Sequence, residues 1–202
     1  LSLSRDCGWS GIPVTANGQG VAALPRSDGA AVVAYEERLD DTRSRLVVRR
    51  LQRNGVADPP IEIEGAVGAD DGFRAALAPR GDDRILLASF EQDGLVLRIL
   101  DATLTVRGRW VLVPDPGVPT GEPLRLAVLD GIAFVAFELG TRPDSAVKLV
   151  RVPLAGFGDD GPPADPAVDE TVVGLLAGLD DLCAGDGGVL ITYWRSEEHT
   201  SE

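Results

Sequence analysis

Apolar residues in this chain fall in short runs bounded by Asp, Gly and Pro, and four of the runs resemble one another. They are Asp28-Gly-Ala-Ala-Val-Val-Ala-Tyr35, Asp83-Arg-Ile-Leu-Leu-Ala-Ser-Phe90, Asp130-Gly-Ile-Ala-Phe-Val-Ala-Phe137 and Asp186-Gly-Gly-Val-Leu-Ile-Thr-Tyr193. Each places an Asp seven residues ahead of an aromatic, and the four Asp residues stand 55, 47 and 56 positions apart. Ahead of the first three copies lie Ala22-Ala-Leu-Pro-Arg26, Ala75-Ala-Leu-Ala-Pro-Arg80 and Leu124-Arg-Leu-Ala-Val128. Behind them come Leu46-Val-Val-Arg-Arg-Leu51, Leu95-Val-Leu-Arg-Ile-Leu100 and Val147-Lys-Leu-Val-Arg-Val152. Runs this short, bounded by turn residues, read as strands.

Each copy therefore predicts a strand, a tight Asp turn, a buried strand, a variable loop and a third strand. A fourth strand fits before the next copy, at Ile61-Glu-Ile-Glu64, Trp110-Val-Leu-Val113 and Thr171-Val-Val173, and Ile12-Pro-Val-Thr15 precedes the first copy. Four antiparallel strands recurring every ~50 residues resemble the β-propeller architecture. The predicted fold class is all-β: a partial β-propeller of about three and a half four-stranded antiparallel blades. The repeats run near 21–72, 73–122, 123–172 and 173–194, within a propeller region of residues 11–194 after an N-terminal segment of residues 1–10. No Trp-Asp pair, kelch glycine pair or Ser-x-Asp-x-Gly-x-Thr-Trp box accompanies the repeats, so the resemblance is to an architecture and to no family. A β-sandwich would explain many short strands but not a period near 50. Val172, Leu175, Leu176, Leu179 and Leu182 have helical spacing, against which Gly174 and Gly178 count.

The last eight residues, Arg195-Ser-Glu-Glu-His-Thr-Ser-Glu202, resemble the translation of a common short-read sequencing adapter. That resemblance implies a non-native tail over 195–202, natural sequence up to Trp194, and a chain that is a fragment of a longer ring. The absence of Met at position 1 agrees with it. The tail carries one Arg, three Glu and His199, the sole histidine; without it 18 basic and 29 acidic residues remain, net −11 against −13 for all 202 residues.

Charge and composition narrow the function classes. An acidic chain lacks the basic patch that phosphate backbones need, so no nucleic-acid partner is expected. No apolar run is long enough for a membrane-spanning helix, and no membrane insertion is expected. Setting His199 aside, no Ser-His or Cys-His pair is available for nucleophilic catalysis. Cys7 and Cys183 lack metal-type spacing; they read as two buried thiols, with a disulfide in an exported protein as the alternative. No cofactor, metal or catalytic residue is assigned. Gly18-Gln-Gly20 imitates a dinucleotide fingerprint, yet Pro25 and Asp28-Gly29 follow where a helix should run. Arg80-Gly81-Asp82 reads as a polar turn, and the loop at 155–170, with Pro162, Pro163 and Pro166, as a solvated surface connection.

Two recurring features carry what chemistry there is. The four Asp residues of the motif suit tight turns, where the side chain bonds its own backbone and tolerates positive φ; calcium binding, with loops 69–72 and 158–161, is the alternative. Glu36, Glu91 and Glu138 each follow the motif aromatic directly. Equivalent positions in three blades would set three carboxylates around the axis, joined by Arg38, Asp40, Asp41, Arg43 and Arg142, with Trp194 breaking the series in the fourth copy. These three glutamates are the candidate ligand-binding residues. The reading that follows is a non-catalytic propeller module binding a protein or carbohydrate partner on its loop face. The alternatives are a portion of a glycan-active enzyme run by carboxylates and a scaffold for a larger protein.

Overall fold

The computed structural model describes residues 18–40, 43–66, 74–81, 83–114, 124–140, 145–157, 168–175, 177–185 and 188–195. Among them fourteen strands form four antiparallel sheets, with no helix. Sheet I holds β1 (Gly18–Pro25), β2 (Ala31–Arg38), β3 (Ser44–Leu51) and β4 (Ile61–Glu62). Sheet II holds β5 (Arg74–Gly81), β6 (Arg84–Glu91), β7 (Gly94–Leu100) and β8 (Val106–Val113). Sheet III holds β9 (Arg125–Leu129), β10 (Ile132–Leu139), β11 (Ala146–Pro153) and β12 (Asp169–Leu175). Sheet IV holds β13 (Ala177–Gly185) and β14 (Gly188–Arg195).

Strand order follows chain order in every sheet, so sheets I, II and III are up-and-down meanders and sheet IV, among the described residues, is a hairpin. The first strands β1, β5, β9 and β13 neighbour one another from sheet to sheet. Three meanders and a hairpin joined through their first strands form a β-propeller-type fold, as the repeat predicts. The leucine-rich stretch with helical spacing is two strands, β12 and β13; Val172 and Leu175 face outward rather than completing a helical stripe. The strand expected at Ile12–Thr15, Cys7, the acidic loops and residues 196–202 lie outside the described residues. Cys183 is a free, exposed thiol, which corrects the expectation of a buried one: it lies on an exposed stretch of β13.

The core lies between sheets, which is why the second strands read as continuous apolar runs rather than alternating ones. Val32, Ala34, Leu46 and Val48 of sheet I pack on Ile85, Leu87 and Leu100 of sheet II. Leu86, Ala88, Phe90, Leu95 and Leu97 turn the other way and meet Ala133, Val135 and Phe137 of sheet III. Ala136 and Val147 of sheet III then face Ala177, Leu179 and Leu182 of sheet IV. Burying a side chain of this size contributes about 1.5–3 kcal/mol, so the sheet-to-sheet interfaces dominate the stability. At the second interface Phe90 meets Phe137 edge-on at 5.1 Å, and Trp110 meets Phe157 at 4.6 Å. Gly108 permits the latter contact, because a Cβ there would stand 2.2 Å from the Trp110 ring.

The hairpin turns explain the recurring Asp. Asp28 Oδ1 accepts from the Ala30 amide at 3.0 Å, inside a five-residue loop whose Gly29 has φ +81°. Asp130 and Gly131, at φ 50° and 73°, form a two-residue turn in which both central residues are left-handed. Asp83 takes φ 58° in the corresponding turn of sheet II. Asp186 lies outside the described residues.

Candidate functional site

Glu36, Glu91 and Glu138 end the second strands of sheets I, II and III, at the end where β2 leads to β3, β6 to β7 and β10 to β11. The ungapped motif implies equivalent side-chain directions. The structure places them otherwise. In β10 the aromatic Phe137 faces back to sheet II and the alternating positions Phe134 and Ala136 face sheet IV, which sends Glu138 toward sheet IV. In β2 the pattern is the same, with Tyr35 away from sheet II and Val32 and Ala34 toward it. In β6 it is reversed: Phe90 faces forward to sheet III, while Ile85 and Leu87 face back to sheet I, with Glu91 in step with them.

The turn accounts for the reversal. In sheet III, Leu129 pairs with Ile132 across Asp130-Gly131; in sheet II, Gly81 pairs with Arg84 across residues 82–83, followed by a register shift between Pro79 and Gly81. The strand after the turn thus starts one residue earlier relative to the motif in β6. A slip of one residue moves every side chain of a strand to the opposite face.

Each glutamate consequently has its own surroundings. Glu91 is 4% exposed and forms a two-pronged ion pair with Arg98 of β7, itself 0% exposed. Arg98 Nη2 donates to Glu91 Oε2 at 2.9 Å, Nη1 donates to Oε1, and Nη1 also donates to Ser89 Oγ at 3.2 Å. Ser89 Oγ donates to Glu91 Oε1 at 2.5 Å, and Arg109 Nη2 stands 3.6 Å from Oε2. Glu138, 2% exposed, accepts the Leu179 amide of β13 at 3.2 Å. Nearby, Ser145 Oγ donates to the Ala177 carbonyl at 3.0 Å and Arg125 Nη2 to the Asp180 carbonyl at 3.1 Å. Glu138, Ser145 and Arg125 therefore tie sheet III to sheet IV by polar bonds. Glu36 is half-buried and shares its face with Ala34.

Around these strand ends runs a rim of paired charges. Arg45 Nε donates to Glu37 Oε2 at 2.7 Å and Nη1 to Glu62 Oε2 at 2.9 Å, and these bonds, that to Glu37 first, raise the Arg45 pKa. Arg43 pairs with Asp40 at 2.6 Å, Arg109 with Asp93 at 2.6 Å and Arg125 with Asp181 at 3.4 Å. Asp41 and Arg142 lie outside the described residues, as does the side chain of Trp194. At the opposite end Arg80 donates to the Phe157 carbonyl, so the Arg of the Arg-Gly-Asp tripeptide braces sheet II against sheet III; Asp82 lies outside the described residues. Gly18 and Gly20 belong to β1, which runs straight into a hairpin. Among the described residues no group of three or more His, Cys, Asp and Glu side chains is arranged to hold a metal.

Sequence reasoning overlooked Arg98, Ser89, Arg109 and Arg125. The signal for the first two was present: Ser89 and Arg98 are the polar interruptions in otherwise apolar runs that the repeat marks as buried. A lone Arg inside such a run calls for a buried acidic partner.

No protein-family model matches the sequence, and no curated protein matches it. Among solved structures the chain is similar to a point mutant of the GH43 protein BlXynB from Bacillus licheniformis, with a TM-score of 0.55 and 14% identity. The match covers 90% of this chain and 38% of that one, so the chain spans little more than a third of the length of the structure it resembles. At this identity the likeness establishes the propeller fold.

Proposed function

We propose that the chain is a non-catalytic β-propeller module that binds a carbohydrate or protein partner on the end carrying the charged rim. The observation that carries this reading is the engagement of Glu91 by Arg98 inside the sheet I–sheet II interface. A carboxylate held by a bidentate guanidinium and a hydroxyl has little freedom to act as acid, base or nucleophile. Glu138 is likewise committed, to the backbone of β13. We assign these two to holding sheets together, and assign ligand contact to the half-buried Glu36 with the exposed Arg38 at the end of β2 and the exposed Arg43 of the adjoining loop. Ion pairs at a rim offer donors and acceptors side by side, which suits hydroxyl-bearing ligands.

A second reading, part of a glycan-active enzyme, is favoured by the likeness to the GH43 protein. Two carboxyls about 5–9.5 Å apart in a cleft would be needed. The test is titration of the full chain against soluble neutral and acidic polysaccharides, alongside aryl glycosides as turnover substrates. We expect saturable binding without release of aglycone, weakened about tenfold by Glu36→Gln at unchanged melting temperature, as loss of a charged hydrogen bond implies. Aryl-glycoside turnover that Glu36→Gln abolishes would replace this reading with the enzymatic one.

A further inference from the structure

The turns that follow β3 and β7 share one hydrogen-bonded frame. In sheet I the Gln52 amide donates to the Val56 carbonyl at 2.8 Å and the Gly55 amide to the Gln52 carbonyl at 2.8 Å. In sheet II the Asp101 amide donates to the Thr105 carbonyl at 3.0 Å and the Leu104 amide to the Asp101 carbonyl at 2.9 Å. Gly55 and Leu104 hold the same left-handed place in the two frames, at φ +81° and +64°. What differs is the pair at the tip: Thr103-Leu104 in sheet II, Asn54-Gly55 in sheet I.

That difference is chemical. An asparagine carries an electrophilic amide carbon within five-membered-ring reach of the next residue's nitrogen, and a glycine there leaves that nitrogen uncrowded. Asn54 is exposed, and its Oδ1 accepts from the Val56 amide at 3.0 Å. This Asx-type bond folds the side-chain carbonyl back over residue 55 and polarises it. Asn17, the only other asparagine of the sequence, also precedes glycine but lies outside the described residues. Asp28, Asp93 and Asp130 precede glycine as well, yet a carboxylate repels the nucleophile and has no amine to expel.

We infer that Asn54 is a site of spontaneous covalent modification, deamidation through a cyclic imide, and that the change loosens the outer strand of sheet I. Hydroxide takes the Gly55 amide proton, the nitrogen attacks Asn54 Cγ, and the Cγ–Nδ2 bond breaks as ammonia leaves with a proton from water. A second water opens the imide: attack at Cγ leaves an aspartyl residue, and attack at the main-chain carbonyl leaves an isoaspartyl one. Overall one water is consumed and one ammonia released, with nothing oxidised or reduced. The isoaspartyl product routes the main chain through Cβ and Cγ, one atom longer, inside a turn closed by two hydrogen bonds. β4, which follows, pairs only with Val47 and Val48 and is the shortest described strand, so it is the element least able to absorb the change.

The fold also sets the rate. The attacking nitrogen must first give up its bond to the Gln52 carbonyl, which slows the reaction about tenfold relative to the unfolded chain. The test is ageing of the full 202-residue chain at mildly alkaline pH, with and without urea, followed by peptide mapping that separates aspartyl from isoaspartyl products at position 54. We expect both products in the folded chain, at about a tenth of the rate in urea. Asn54→Thr, which copies the sheet II turn, should abolish them. In the aged parent, hydrogen exchange at the amides of Asp58 and Ile63, which donate to the Arg50 and Leu46 carbonyls of β3, should quicken about tenfold, with sheet II unchanged. Aged Asn54→Thr should show no such change. Absence of conversion in the folded chain overturns the site, whatever happens in urea or at Asn17. Aspartyl product alone overturns the cyclic route, and unaltered exchange at Asp58 and Ile63 after conversion overturns the loosening.

Discussion

Sheets II and III carry the same motif, Asp, six residues, Phe, Glu, and use it in opposite directions. In β10 the Phe faces sheet II and the Glu faces sheet IV; in β6 the Phe faces sheet III and the Glu faces sheet I. The two phenylalanines thereby meet across one interface, which strict repetition would forbid, and the two glutamates part company. One is locked to an arginine of its own sheet, the other to the backbone of the next. A repeat conserves spacing along the chain, but what a residue does depends on register, and one residue of slip at a turn suffices to change it.

The largest effect expected in breaking this comparison comes from Arg98→Ala. It strands Glu91 as an uncompensated buried charge and should cost about 3–5 kcal/mol in denaturant unfolding. The paired replacement Glu91→Leu with Arg98→Met should recover most of that loss or exceed the parent, because buried ion pairs seldom outperform apolar packing. A double variant as unstable as the single one would show that the pair does more than satisfy itself.

Phe137→Ala, which empties the interface the slip creates, should cost about 3–5 kcal/mol. In a cycle with Phe90→Ala the coupling should be about 0.5–1.5 kcal/mol, the share owed to the edge-on contact. Additive losses would mean that the rings merely fill space.

Glu138→Leu tests the other glutamate. It removes the acceptor of the Leu179 amide and should destabilise by about 1–3 kcal/mol, less than Arg98→Ala. The faster exchange it causes should be confined to β13 and β14, whereas Arg98→Ala should expose sheets I and II. Identical exchange patterns would contradict the division of roles.

Gly131→Ala concerns the turn itself. The added methyl meets nothing within 4 Å, so only its φ of +73° opposes it, and the cost should be about 1 kcal/mol. A calorimetric shift much larger than that would indicate that the turn sets the register rather than following it.

The smallest effect is a pH dependence carried by Asp101 of sheet II. Burial acts to raise the Asp101 pKa, but hydrogen bonds from the Thr103 hydroxyl, the Thr105 amide, Arg107 and the Thr103 amide outweigh it and hold it at about 2. A carboxyl depressed in the folded state contributes stability above its unfolded pKa, here 3.8, and loses it as pH falls through the folded value. Stability should therefore decline between about pH 4 and pH 2 more steeply in the parent than in Asp101→Asn. Parallel acid limbs would remove Asp101 from the account.

The all-β class, the strand order and the period near 50 were legible along the chain, because burial by neighbouring sheets turns the second strands into apolar runs and tight turns demand Asp and Gly. The turn role of Asp28, Asp83 and Asp130 was legible too, since it is settled within a few residues of each turn. Glu36, Glu91 and Glu138 were found by spacing alone, and spacing could not say which sheet each would face. That depends on hydrogen-bond register at a turn, where Gly81 pairs with Arg84 but Leu129 with Ile132. Nor could it show Arg98 seven residues after Glu91 folding back beside it, although a lone Arg in an apolar run was a warning. By itself the sequence determined which segments are strands and how they recur, because those follow from local burial and turn chemistry. Only the tertiary structure decided which face each strand presents, and with it which carboxylates lie buried between sheets and which lie at the rim.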